Sequence, residues 1–173
     1  MAAEWGCRMN HYCVVVADRS RARFFLLEPA ALPAVGGGSR LVEVSDLVNP
    51  EANLAGREAW SETKSGRNMA RGGGSAHGYD DHRESHEEEF DRRFAKRISA
   101  GVLDLLHQHK PRRLVLAASR SMLGLLRSAV SLPAGANVEL RESAKDLAHM
   151  SPQEIHRHLT GDGLLPVRGK ATV

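Results

Sequence analysis

The sequence predicts a mixed α/β fold, with three antiparallel strands followed by strands joined through helices, and helices on the faces of the sheet. Three observations predict it. The runs Tyr12-Cys13-Val14-Val15-Val16-Ala17 and Ala22-Arg23-Phe24-Phe25-Leu26-Leu27 flank a short polar turn. Between Phe90 and His109 apolar residues recur at helical steps. Arg113-Leu114-Val115-Leu116-Ala117-Ala118 is apolar after its first residue, as in a strand covered on both faces.

The elements follow in order. Asp18-Arg19-Ser20 turns the chain, so residues 12–17 and 22–27 read as a hairpin. Residues 29–39 are rich in Pro, Ala and Gly and read as a loop. Leu41-Val42-Glu43-Val44 begins a third strand that fades before Asn49-Pro50. Residues 50–81 are polar and glycine-rich without sustained periodicity. They read as a long loop, of a length that compact domains keep for function or leave disordered. The helix after it carries Phe90, Phe94, Ile98, Val102, Leu105 and His109 on one stripe. Glu84, Glu87, Glu88, Glu89 and Asp91 crowd its early turns, where they suit the helix dipole; Arg92, Arg93, Lys96 and Arg97 follow. Glu88–Arg92 and Glu89–Arg93 have the spacing of helical ion pairs, and Pro111 ends the helix. Residues 113–118 form a fourth strand. Ser119 or Ser121 caps a helix to Val130, and residues 137–140 form a last short strand. Ser151-Pro152-Gln153-Glu154 opens a final helix with a serine cap, proline in the first turn and a glutamate to close the capping box. This order is shared by ribonuclease-H-like folds and by components of the translation machinery, and it names no function by itself.

A chain of 173 residues with 42% hydrophobic content fits one domain with a real core. Residues 1–10 read as a loose N-terminal extension and 161–173 as a C-terminal tail. The net charge of +3 excludes a polybasic tail, but two local clusters are cationic: Lys110, Arg112, Arg113, Arg120 and Arg127 with no acid among them, and Arg19, Arg21 and Arg23. The two cysteines, Cys7 and Cys13, form neither a disulfide scaffold nor a CxxC site. They point to a reducing, cytoplasmic setting. No apolar stretch suits a signal peptide or a membrane span, so no membrane partner is expected.

Several motifs resemble, in order and spacing, the bacterial "host attachment protein" family. They are Val14-Val15-Val16-Ala17-Asp18-Arg19-Ser20-Arg21-Ala22-Arg23-Phe24, Gly66-Arg67, Leu116-Ala117-Ala118, Leu123-Gly124-Leu125-Leu126-Arg127, Lys145-Asp146-Leu147 and Ser151-Pro152. The resemblance covers roughly residues 10 to 160 and implies a role in attachment to host cells without implying a chemistry. More distantly, Gly72-Gly73-Gly74-Ser75-Ala76 before a charged helix is similar to the middle domain of archaeal and eukaryotic peptide-chain release factors. Those carry Gly-Gly-Gln-Ser-Ala, with the glutamine orienting a hydrolytic water. Gly74 stands at the glutamine position, so the likeness implies a scaffold without the hydrolytic reaction.

The candidate sites are four. The loop offers Lys64, Arg67 and Arg71 for phosphates, with Gly72, Gly73 and Gly74 exposing backbone N–H groups; Arg19, Arg21 and Arg23 add cations. RNA or the ribosome is the partner expected, without a cofactor and without catalysis. His82 and His86, one helical turn apart, with His77 or Asp80, are the alternative: an open metal site of a hydrolase. Asp18 at the end of the first strand is where a nuclease of this fold order would place one carboxylate, but residues 114–118 supply no second, and a turn-stabilising role suits Asp18 better. Ser119 and Ser121 read as helix caps. Lys145 and Asp146 carry no assigned chemistry. A third alternative is a protein-interaction factor with an indirect role in host attachment.

Overall fold

Strand β1 (Tyr12–Ala17) is buried at every residue after Tyr12, so both of its faces have to be covered. The structure, a computed structural model, describes residues 12–29, 38–52 and 77–166, with backbone alone over 77–87. On one side β1 pairs antiparallel with β2 (Arg21–Pro29), and β3 (Ser39–Val48) continues antiparallel beyond it. On the other side β1 pairs parallel with β4 (Arg113–Ala118), which is followed by the parallel strand β5 (Glu139–Ser143). The order β3-β2-β1-β4-β5, with three helices among the described residues, is the mixed α/β arrangement expected from the sequence.

Alternation along the strands sorts the core into two layers. Cys13, Val15, Ala17, Phe24 and Leu116 pack against α1 (His77–His109) and α2 (Arg120–Ala129), through Phe94, Ile98, Val102, Met122 and Leu126. Val14, Val16, Phe25, Val115 and Ala117 pack against α3 (Pro152–Gly161) through Ile155 and Leu159. Burial pushes the Cys13 thiol up to about 12, which makes it a small core residue and a poor nucleophile. The caps are those expected: Ser119 accepts from Met122 N, and Ser151 and Glu154 form a reciprocal capping box.

The element bounds differ from expectation in four places. β3 runs to Val48, but Leu41 is its single buried residue and a bulge interrupts its register opposite Phe24/Phe25, so its polar alternation is broken. β5 lies at Glu139–Ser143, later than residues 137–140, because pairing with β4 sets its position. Helix α1 begins at His77, inside the stretch read as loop 50–81. Its first turns carry no apolar stripe to announce them. The tail expected from residue 161 starts packed: Leu165 is buried, and Leu164 N donates to Leu159 O.

Gly101 lets α1 approach the sheet. A Cβ there would stand 2.7 Å from Phe24 Cζ, inside van der Waals contact. Gly124, on α2, has nothing within 4 Å of the same position. Alanine should therefore act with opposite sign at the two sites. Gly124→Ala is expected to stabilise by about 0.5–1 kcal/mol through helix propensity. Gly101→Ala is expected to destabilise by roughly 1–2 kcal/mol, because overpacking against Phe24 outweighs that gain. Urea denaturation of the two variants checks the pair.

Candidate functional site

The carboxyl ends of β1, β3 and β4 meet at one end of the sheet, where open α/β sheets place their ligand crevices. Asp18 sits there at the end of β1, 7% exposed. Its Oδ1 accepts from Ser20 N at 2.6 Å, Ser20 Oγ at 2.7 Å and Arg21 N at 2.7 Å, an Asx turn that closes the β1–β2 hairpin. His149 Nε2 lies 2.8 Å from Asp18 Oδ2, close enough for an ion pair but off the line of a hydrogen bond. Asp18 is thus the turn-stabilising residue that the sequence suggested, with a histidine beside it. Among the described residues no cluster of three His, Cys, Asp or Glu side chains could hold a metal ion.

The three hairpin arginines, read from the sequence as phosphate ligands, have separate structural partners. Arg23 is 8% exposed; its Nε and Nη2 donate to the two carboxylate oxygens of Glu43, at 2.9 and 2.6 Å, and its Nη1 donates to Ala148 O and Met150 O. It also stacks over Phe25, 4.9 Å from the ring centroid. Its expected role as a nucleic-acid contact is therefore withdrawn: strand alternation turns it inward, where it ties the segment before α3 to the sheet. Arg21 reaches Asp46 at 3.3 Å. Arg19 Nε donates to Asp91 of α1 at 2.8 Å, half exposed at the surface.

That last pair marks the base of α1. Phe90 and Asp91 line a small cavity of about 230 Å³ with Arg19, Ser20, Asn49, Glu51 and Ala52. Asn49 fixes the strut after β3 by donating to Ser20 O and Arg19 O, and Arg93 approaches Glu51 at 3.7 Å. From Phe90 back to His77 the helix continues for thirteen more residues, about 20 Å beyond this base. Lys64, Arg67, Arg71, Gly72, Gly73 and Gly74 lie outside the described residues, between the strut and this helix. His77, His82 and His86 fall on the described backbone of α1, and their side chains lie outside the description.

The second basic cluster is not one patch. Lys110 and Arg112 stand at the amino end of β4 and Arg120 at its carboxyl end, about 20 Å apart along the strand. Arg113 pairs with Glu139 and Arg127 with Glu142. Lys145, without an assigned role in the sequence, pairs with Asp162 at 2.6 Å at the C-terminal cap of α3, and Asp146 accepts from Ala148 N. Sequence reasoning missed the ordered acids that absorb these cations, because each partner lies on another strand or helix.

Residues 13–159 match the family described as "Protein required for attachment to host cells", and the chain belongs to that family. No curated protein matches it. Among solved structures it is similar to RuvC of Thermus thermophilus, 14% identical over 92% of this chain and 84% of that one, with a TM-score of 0.36. So distant a likeness carries no function. No helix among the described residues is long and apolar enough to cross a membrane.

Glu43 supplies a pH test of the Arg23 anchor. The hydrogen-bonded guanidinium holds its carboxyl below the ordinary 4.5. A depressed carboxylate contributes stability that is present above 4.5 and lost as pH falls through its folded value. Glu43→Gln is expected to cost roughly 1–3 kcal/mol at pH 7, and less as the pH falls below 4.5. Denaturant titrations of both proteins at pH 7 and pH 3.5 check this; an equal cost at both would contradict it.

Proposed function

We propose that this member of the host-attachment family is a non-catalytic RNA-binding module of the cytoplasm that associates with the ribosome and presents residues 64–74 as its probe. One observation supports the reading: the backbone of α1 continues about 20 Å back from Phe90, the residue that lines its base, to His77. The sequence of that stretch carries no apolar stripe, which suits reach better than burial. The residues just before it in sequence are glycines and cations: Arg71, Gly72, Gly73 and Gly74, with Lys64 and Arg67 upstream. Cations on a glycine-rich backbone suit phosphate rather than an apolar partner.

The likeness to release-factor middle domains belongs to the same proposal. A triglycine tip before a long helix would approach a ribosomal site by its backbone. Gly74 brings no amide to orient water, so the module occupies the site without cutting an ester. The family's description names attachment to host cells, and an RNA-binding module would serve that process indirectly.

Co-sedimentation tests the reading. The full chain is expected to travel with purified ribosomes at 0.1 M salt and to be released by about 0.5 M, as phosphate contacts require. Lys64→Gln/Arg67→Gln/Arg71→Gln should weaken the association about tenfold or more at 0.1 M salt. Absence of association at low salt, or association indifferent to salt, would contradict it, as would hydrolysis of an aminoacyl ester by the purified protein.

A further inference from the structure

The structure assigns a second phosphate-binding surface, distinct from residues 64–74: the outward face of α1 at Arg92, Arg93, Lys96 and Arg97. The inference rests on the RNA-binding reading and names the residues that would hold the backbone of the same partner. Along this stretch burial alternates in pairs. Phe94, Ala95, Ile98 and Ser99 are buried against the sheet and α2, while Arg92, Arg93, Lys96 and Arg97 are all exposed. The outward face of the helix, where it sits on the domain, is therefore cationic over about 7.5 Å of axis, room for two or three phosphates of one strand.

Of the four, Arg93 alone approaches an acid outside α1 among the described residues, Glu51 at 3.7 Å. Arg92 pairs with Glu88 at 3.0 Å and Arg93 with Glu89 at 3.2 Å. Both pairs are exposed, so a phosphate can displace either carboxylate at little cost. Lys96 and Arg97 have no acid within ion-pair distance among the described residues; Arg97 rests 5.8 Å over the ring of Phe94. Four residues back from Lys96 and Arg97 stand Arg92 and Arg93, and four residues on stand Ala100 and Gly101. Arg92/Lys96 and Arg93/Arg97 are thus like-charge pairs at helical spacing, each mildly destabilising to the helix. A helix that carries two such pairs on one face is arranged for a ligand of opposite charge, and planar guanidinium groups fit phosphate oxygens with paired donors.

The other cations fit this reading less well. Arg23 is buried on Glu43, Arg113 and Arg127 are held by Glu139 and Glu142, and Lys110 stands next to the C-terminus of α1, where a cation complements the helix dipole. The α1 quartet is also next to the base of the projecting segment, beside the Arg19–Asp91 pair.

Fluorescence anisotropy with a fluorescein-labelled fifteen-nucleotide uridine RNA tests the assignment, read as Kd against salt between 0.05 and 0.3 M. Wild type is compared with Arg92→Gln/Lys96→Gln/Arg97→Gln, with the single variants Lys96→Gln and Arg97→Gln, with Arg92→Lys/Arg97→Lys, and with the Lys64→Gln/Arg67→Gln/Arg71→Gln variant. Each lost contact should reduce the slope of log Kd against log salt by about 0.7, so the triple α1 variant should lose about 2 and weaken at least tenfold at 0.1 M. The lysine variant should keep the wild-type slope. An α1 triple variant with wild-type affinity and slope, beside a weakened 64–71 variant, would overturn this assignment and leave the functional reading standing. Wild-type protein that binds no RNA would remove both.

Discussion

Helix α1 is longer than the sheet that carries it, and most of the molecule's organisation follows from that mismatch. Thirty-three residues span about 50 Å, while the six residues of β1 span about 20 Å. Among the described residues of α1, the part from Phe94 to Leu106 is buried in the core, and Gly101 brings that part flush with Phe24. The backbone of the N-terminal third runs on beyond that part. The strut Asn49–Ala52, the hairpin turn and the Arg19–Asp91 pair meet the helix where the core ends, and so fix the direction in which the rest projects.

The end of the sheet beneath that projection is built from charges whose partners are mostly internal. Asp18 folds the hairpin through three donors, and Arg23 joins β2, β3 and the segment before α3 through a carboxylate and two carbonyls. Among the described residues no group of three His, Cys, Asp or Glu side chains converges there. On α1, outside the sheet, Lys96 and Arg97 are exposed with no acid within ion-pair distance among the described residues.

The sequence made much of this frame legible, for identifiable reasons. The hairpin, β4, α2 and the start of α3 each combine a strong local pattern with a cap or turn residue that agrees with it. β3 was faint because an edge strand with one buried residue and a bulge has little alternation to read. The start of α1 was hidden because the sequence of its first turns carries no apolar stripe, and Gly78 is a poor helix former. The arginines misled for a different reason. Arg19, Arg21 and Arg23 stand at every second position of one short stretch, but the turn and strand pairing send them to Asp91, Asp46 and Glu43. Charge clustering in sequence says nothing about which acids the fold brings up from 20 or more residues away.

Helix α1 gives the residues before it a direction only as one uninterrupted rod from His77 to His109. Spin labels at Glu84→Cys and Asp104→Cys, in a chain with Cys7 replaced by serine, measure this directly by pulsed electron–electron resonance; Cys13, with its thiol pushed up to about 12 by burial, should stay unlabelled. Twenty helical residues place the labelled positions about 30 Å apart along the axis. A narrow distribution near that value is the predicted result. A broad one, or a maximum well away from it, would mean that the projecting third is not a continuation of the helix and has no fixed direction to give.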